Sequence, residues 1–215
     1  MFHKIFWAQA VIGAIAVTGA SAATVDITVT GADGAPASFA VVGLVPDEAN
    51  AVIAPHTPEK SVIDQRHETF LPLVVVIRRG GRVVFTNNDA TMHQVYSFSS
   101  IKQFQFEIDE GQVSRPVQFD EPGVAAIGCN IHDNMVAYVY VADEPFAAVT
   151  DEQGHAEIHD VPEGQYLAKA WHPQLRIGHA PPPTLLTVKG ERAKVSVSVQ
   201  LTRMPAMSRM HKSDY

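Results

Sequence analysis

Hydrophobic and polar residues alternate at every second position along much of the chain, which is the pattern of half-buried β-strands. Val25, Ile27 and Val29 are separated by polar residues, and turn sequences at 32–34 and 79–81 interrupt the apolar runs. Further strands are predicted at residues 40–45, 73–77, 82–86, 95–98, 105–108, 117–119, 124–128 and 137–141. No segment has a convincing helical period. The sequence therefore predicts an all-β protein made of β-sandwiches.

The N-terminal residues predict export. Lys4 precedes an apolar stretch at 5–17, and residues 20–22 supply the small residues of a cleavage site. We therefore expect residues 1–22 to be a signal peptide and the protein to be periplasmic or otherwise secreted, with an uncleaved anchor as the alternative. No later segment is apolar enough to span a bilayer.

The charge of the chain limits its partners. It has 16 Lys and Arg against 23 Asp and Glu, a formal net charge of −7. This charge disfavours nucleic acid and anionic membrane surfaces as partners. A group of acidic residues either steers a basic partner or is simply a solvated face. Its members are Glu107, Asp109, Glu110, Asp120 and Glu121.

Cys129 is the only cysteine, so an exported chain has no internal disulfide and its thiol is either buried or occupied. Residues 123–129 predict a strand that ends at Cys129, and a short loop with His132 and Met135 follows. Thiolate, imidazole and thioether are ligands that suit copper in both oxidation states, whereas a thioether is a poor ligand for zinc. His93, which begins a strand after a short loop, is the natural candidate for a second imidazole.

These residues resemble the cupredoxin family, most closely its plastocyanin and amicyanin branch, over about residues 64–141. The family's first histidine follows Phe-x-Asn and a short loop, as at 85–87 and His93. The other ligands match as Gly123, Cys129, His132 and Met135. The resemblance implies a Greek-key sandwich with one type 1 (blue) copper ion and single-electron transfer to an unidentified redox partner protein. Similar plastocyanin-like proteins are sometimes labelled methylamine-utilisation proteins, but no residue here points to methylamine.

The neighbours of these residues depart from the family in several places. Gln94 stands where an asparagine commonly ties the two ligand loops together, and the ligand loop lacks the usual proline. By the same resemblance, enzymes with further coppers place histidines beside the cysteine. Cys129 has Gly128 and Asn130 instead, so we predict no catalytic copper and no enzyme. Ile131 and Met92 are candidates for a small apolar docking patch beside His132.

The rest of the chain has a different pattern. Residues 150–154 and 161–166 resemble the turns of the carboxypeptidase-regulatory, transthyretin-like β-sandwich. We therefore predict such a sandwich from 24–57 and 144–202, with the cupredoxin domain, 58–143, inserted into it. A simple tandem order is the alternative. Residues 203–215 are predicted to be a disordered, methionine-rich tail.

Two other groups contain potential metal ligands. His155, Glu157 and His159 share one face of a predicted strand, which is more typical of a plain solvent face. The second group lies in the tail and consists of Met204, Met207, Met210 and His211. Three functions remain open at this point. They are an electron carrier, a periplasmic copper carrier or store, and a structural module without metal.

Overall fold

The computed structural model describes residues 22–47, 60–176 and 178–202. These residues form sixteen β-strands and include no α-helix, so the predicted all-β fold is confirmed. None of them belongs to a helix long and apolar enough to cross a membrane. The predicted signal peptide, apart from Ala22, and the methionine-rich tail lie outside the described residues.

The strands follow one another along the chain with these bounds: β1 (Ala22–Gly31), β2 (Val41–Pro46), β3 (Lys60–Gln65), β4 (Phe70–Leu71), β5 (Val74–Arg78), β6 (Arg82–Asn87), β7 (His93–Ser99), β8 (Lys102–Ile108), β9 (Val117–Gln118), β10 (Gly123–Cys129), β11 (Val136–Ala142), β12 (Phe146–Val149), β13 (His155–Pro162), β14 (Gly164–Trp171), β15 (Thr184–Val188) and β16 (Arg192–Val199).

One pair of sheets, which we call the outer sandwich, has the strand orders β13–β1–β16 and β12–β2–β14–β15. β1 lies between β13, to which it is antiparallel, and β16, to which it is parallel. Alternate residues of β1 are buried, as the sequence pattern predicts for a strand with one face in a core, and β16 has the same burial pattern. They pack with residues such as Leu44 and Tyr166 in a single cluster.

The second pair of sheets, the inner sandwich, has the strand orders β5–β11–β10–β7–β8 and β4–β3–β6–β9. β10 lies between β11 and β7 and is antiparallel to both. The core between the sheets contains Phe85, Phe119, Ile127 and Val139. The ring of Phe85 also contacts the rings of two partly buried phenylalanines of β8. The strand that ends at Cys129 is therefore central to its sheet.

All strands of the inner sandwich, β3 to β11, lie in the sequence between β2 and β12 of the outer sandwich. Each sandwich has its own cluster of buried residues. This is the strand order that an inserted domain would have, while the transthyretin-like identity of the outer sandwich stays a prediction. The exact domain boundaries stay a prediction, and the one between residues 57 and 58 lies outside the described residues.

Aromatic side chains connect the two sandwiches where β14 approaches β11. The ring of Trp171 lies 5.7 Å, centroid to centroid, from the ring of Tyr138 and 5.7 Å from that of Tyr140. Such ring pairs stabilise beyond their area burial. The inner sandwich is therefore held to the outer one by side-chain packing as well as by the chain connections.

Candidate metal centre

Three side chains bring their donor atoms together at one edge of the inner sandwich. Nδ1 of His93 lies 3.6 Å from Sγ of Cys129 and 3.3 Å from Nδ1 of His132. The three donor atoms all lie within 4.8 Å of one another. Nitrogen and sulfur ligands bind a metal at about 2.0–2.3 Å, so atoms that share an ion are separated by roughly 3–4.5 Å. The observed separations suit a single ion.

The pairing of β7 with β10 explains why His93 and Cys129 meet. His93 is the first residue of β7 and Cys129 is the last residue of β10, and the strands are antiparallel with Cys129 opposite Val95. The start of one strand therefore lies beside the end of the other. Both side chains are buried, with 0% of His93 and 3% of Cys129 exposed.

Gln94 joins the two loops that carry the donors, although it replaces the asparagine of the family pattern. Nδ2 of Asn130 donates to Oε1 of Gln94 at 2.7 Å. The backbone amide of Asn130 donates to the carbonyl of Gln94 at 3.0 Å. The glutamine also donates through Nε2 to Glu107 at 3.3 Å. The longer side chain thus retains the connection that the substitution put in question.

Asp89 orients the imidazole of His93. Its Oδ2 lies 2.9 Å from Nε2 of His93 and accepts the amide hydrogen of Glu68 at 3.0 Å, while its Oδ1 accepts that of His67. Burial would raise the pKa of Asp89, but the hydrogen bonds from Glu68, His93 and His67 outweigh it and hold this pKa below its usual range. An ionised carboxylate only accepts, so Nε2 of His93 donates to it, and the neutral form of the ring has its lone pair on Nδ1.

The loop before His93 is closed by the buried side chain of Asn87. Its Nδ2 donates to the carbonyls of Thr91 at 2.8 Å and Ile108 at 3.0 Å, and its Oδ1 accepts the amide hydrogen of Asp89 at 2.9 Å. All the hydrogen-bonding groups of the side-chain amide except one acceptor lone pair are thereby used. Asn87 therefore sets the position of both Asp89 and His93.

His132 and Met135 lie in the turn that follows Cys129. The amide of Met135 donates to the carbonyl of His132 at 3.1 Å. Met135 is 3% exposed and belongs to the same buried cluster as Cys129, whereas the side chain of His132 is 23% exposed. Met135 is thus inside the protein near the ligand strand, and its role as a ligand stays a prediction.

The chemistry of the donors fits copper. Two imidazoles and one thiolate form the trigonal ligand set of blue-copper sites, in which a methionine is a weak axial ligand. The side chain of Asp89 on the far nitrogen of His93 is the kind of outer partner that fixes the orientation of a metal-binding imidazole. The residues present therefore match the metal that the sequence predicts.

The two side chains of the predicted docking patch are exposed, as a docking surface requires. Met92 is 38% exposed and Ile131 is 47% exposed, and each adjoins one of the two histidines in the sequence. Whether a partner binds there stays a prediction.

The potential ligands of the predicted strand at 155–159 do not bring three donor atoms to one point. His155, Glu157 and His159 lie on the exposed face of β13, as predicted for a solvent face. Oε2 of Glu157 lies 3.7 Å from Nε2 of His159, but its Oε1 accepts a hydrogen bond from Arg192 at 3.2 Å, and a fixed cation there disfavours a metal ion. Within the described residues, His93, Cys129 and His132 are the one group with metal-binding spacing.

The structure also brings in two residues that the sequence analysis did not select, Asp89 and Glu68. Asp89 lies four residues before His93, so its position in the ligand loop was a usable signal. Oε1 of Glu68 lies 3.6 Å from Nε2 of His132. Those two residues are far apart in the sequence, and no local pattern predicts their contact.

No family model and no curated protein matches the sequence. Similar solved structures include the novel purple cupredoxin from Nitrosopumilus maritimus, with 24% identity over 38% of this chain and 99% of that chain at a TM-score of 0.35. Amicyanin from Paracoccus versutus has 20% identity over 46% of this chain and 98% of its own, at a TM-score of 0.36. A Cu-containing nitrite reductase from Thermus scotoductus SA-01 has 21% identity over 46% of this chain and 25% of its own, at a TM-score of 0.37.

The likeness covers less than half of this chain, at low identity and low TM-scores. That this chain is not an enzyme therefore remains a prediction. The assignment of the site depends on the donor geometry.

Proposed function

We propose that this chain is an exported protein that carries single electrons between redox partner proteins, with one type 1 copper ion bound by His93, Cys129, His132 and Met135. The observation that supports it is the convergence of two imidazole nitrogens and one thiol sulfur within 4.8 Å. Asp89 holds Nε2 of His93, and Nδ1 of the same ring faces Cys129 and His132.

Each ligand has a distinct part in the proposal. His93, Cys129 and His132 hold the metal, and Met135 is a weak fourth ligand. Bound copper supplies one-electron redox chemistry at this position. Four protein ligands leave no position for a substrate, which favours electron transfer over catalysis.

The chain is suited to keep these ligands in one arrangement during electron transfer. The ladder between β7 and β10, the Asn130–Gln94 hydrogen bonds and the Asp89 carboxylate all hold the donors from outside. Ligands held in this way move little when the charge of the site changes. The partly exposed edge of His132, with Met92 and Ile131 beside it, is the proposed contact for redox partners.

The first test is a visible spectrum of the mature chain after addition of Cu(II). We expect an intense thiolate-to-copper band at one copper per chain, because a cysteine thiolate is a direct ligand. Cys129→Ser and His93→Gln should abolish the band. His155→Gln, an exposed histidine of the outer sandwich, should keep it. A band that survives in Cys129→Ser would contradict the site.

The second test asks whether the metal stays bound through a redox cycle. An electron carrier should lose the band on reduction and regain it fully on reoxidation, in the presence of a competing copper chelator. Release of Cu(I) to the chelator during the cycle would contradict electron transfer and favour the copper carrier.

A further inference from the structure

The tight turn between β3 and β4 has an unusual composition. Hydrogen bonds between Arg66 and Thr69 close it on both sides, and the two central residues, His67 and Glu68, have φ values of 51° and 53°. Two-residue hairpin turns of this kind normally use glycine or asparagine, because L side chains rarely adopt positive φ. The turn therefore keeps two larger side chains at a conformational cost.

Asp89 holds this turn and the first imidazole with one carboxylate. Oδ1 accepts the amide hydrogen of His67, and Oδ2 accepts that of Glu68 at 3.0 Å while lying 2.9 Å from Nε2 of His93. These hydrogen bonds fix the position of the turn relative to the imidazole of His93.

The same turn brings a second carboxylate, that of Glu68, close to the imidazole of His132. Oε1 of Glu68 lies 3.6 Å from Nε2 of His132, on the side of the ring opposite to the Nδ1 atom that faces His93. The side chain of Glu68 is 63% exposed, and that of His132 is 23% exposed. An exposed carboxylate therefore lies beside the partly exposed imidazole that a docking partner would approach.

We propose that Glu68 is a positioning residue for His132. Its carboxylate stabilises the oxidised copper site and makes that site react preferentially with positively charged electron donors. The inference rests on the proposed copper function. A carboxylate beside the ligand ring favours the state of the site that carries one more positive charge. One electron passes from the reduced donor to the oxidised site, so the donor loses one electron, the site gains one, and no bond forms or breaks.

The matched pair of variants is Glu68→Gln and Glu121→Gln. Both remove one exposed carboxylate and keep the shape of the side chain, but Glu121 precedes β10 at the end opposite to Cys129. In Glu68→Gln we expect the preference for Cu(I) over Cu(II) to rise roughly tenfold, which is about 59 mV in the reduction potential for one electron. Glu121→Gln should leave the potential within a few millivolts of that of the unmodified protein. Glu68→Asp, which keeps the charge on a shorter side chain, should lie between the two.

A second measurement uses small electron donors of opposite charge. The ratio of the reduction rate by hexaammineruthenium(II) to that by ferrocyanide should fall severalfold in Glu68→Gln, and added salt should weaken the difference. Equal potentials and equal rate ratios in the unmodified protein, Glu68→Gln and Glu121→Gln would overturn the proposal.

A third measurement needs no copper. In the copper-free protein, nuclear magnetic resonance signals of the His132 ring should shift in Glu68→Gln, whereas those of His172 should not. If the unmodified protein shows no thiolate-to-copper band, the proposed function fails while this measurement still reports on the contact. If the band is present and Glu68→Gln changes neither the potential nor the His132 signals, the inference on Glu68 fails alone.

Discussion

The ring of Tyr96 lies directly over Gly128, the residue before Cys129. A Cβ atom at position 128 would lie 2.6 Å from Cζ and 2.7 Å from Oη of Tyr96, which is closer than real Cβ contacts. The same ring also packs at a tilt against the ring of Phe98, with centroids 4.9 Å apart. Gly128 therefore gives an aromatic side chain the space to cover the strand that carries the thiol.

Gly128→Ala should lower the free energy of unfolding by about 1–3 kcal/mol, because the added methyl group overpacks the contact with Tyr96. Chemical denaturation of the copper-free protein measures this change. In a Tyr96→Ser background the space above Gly128 is open, and Gly128→Ala should lower the free energy of unfolding much less. An equal loss in both backgrounds would show that the ring is not the cause.

At the level of an element, the loop that leads into β7 depends on Asn87. Asn87→Ala would leave the carbonyls of Thr91 and Ile108 and the amide of Asp89 without their side-chain partner. We expect it to lower the free energy of unfolding by about 3 kcal/mol, and to weaken copper binding because Asp89 and His93 lose their support.

The matched control is Asn88→Ala, since the side chain of Asn88 is exposed and donates only to Asp64 among the described contacts. Chemical denaturation should show less than about 1 kcal/mol of destabilisation for this variant. Similar losses for both variants would mean that the buried hydrogen bonds of Asn87 are not what holds the loop.

For the whole molecule, His172 makes stability sensitive to pH near the junction of the two sandwiches. It is 6% exposed, its Nε2 donates to the carbonyl of Ser38 at 2.9 Å, and its Nδ1 accepts the amide hydrogen of Gln174 at 3.0 Å. Burial lowers the pKa of His172, and the hydrogen bond to Ser38 opposes this only in part. The neutral ring is therefore the form that the fold accommodates.

The imidazole of His172 binds a proton more readily in the unfolded chain than in the folded one. Its contribution to stability is therefore complete above the ordinary histidine pKa of about 6.5. It is lost as pH falls through the lower pKa of the folded state. We expect the thermal unfolding midpoint of the copper-free protein to decrease as pH falls from about 6.5 towards that lower pKa, and His172→Gln to show a weaker decrease. The same pH profile in His172→Gln would assign the effect to other groups.

Much of the fold could be predicted because the pattern that marks a strand lies in neighbouring residues. Alternation at Val25, Ile27 and Val29 marks a strand with one buried face, and β1 has that burial pattern. β3 was not predicted, because only Ile63 and Gln65 of its six residues are buried, and one of these is polar. A polar residue in a core position has the same local signature as one on the surface.

The sequence alone determined the all-β class and the candidate donors, since strand alternation and the spacing of Cys129, His132 and Met135 are properties of neighbouring residues. Tertiary structure alone decided which atoms surround those donors. Asn130 meets Gln94, Asp89 meets the His67–Glu68 turn, and Glu68 meets His132. Contacts of this kind depend on strand register and on the direction of side chains from distant segments, and no local pattern encodes either one.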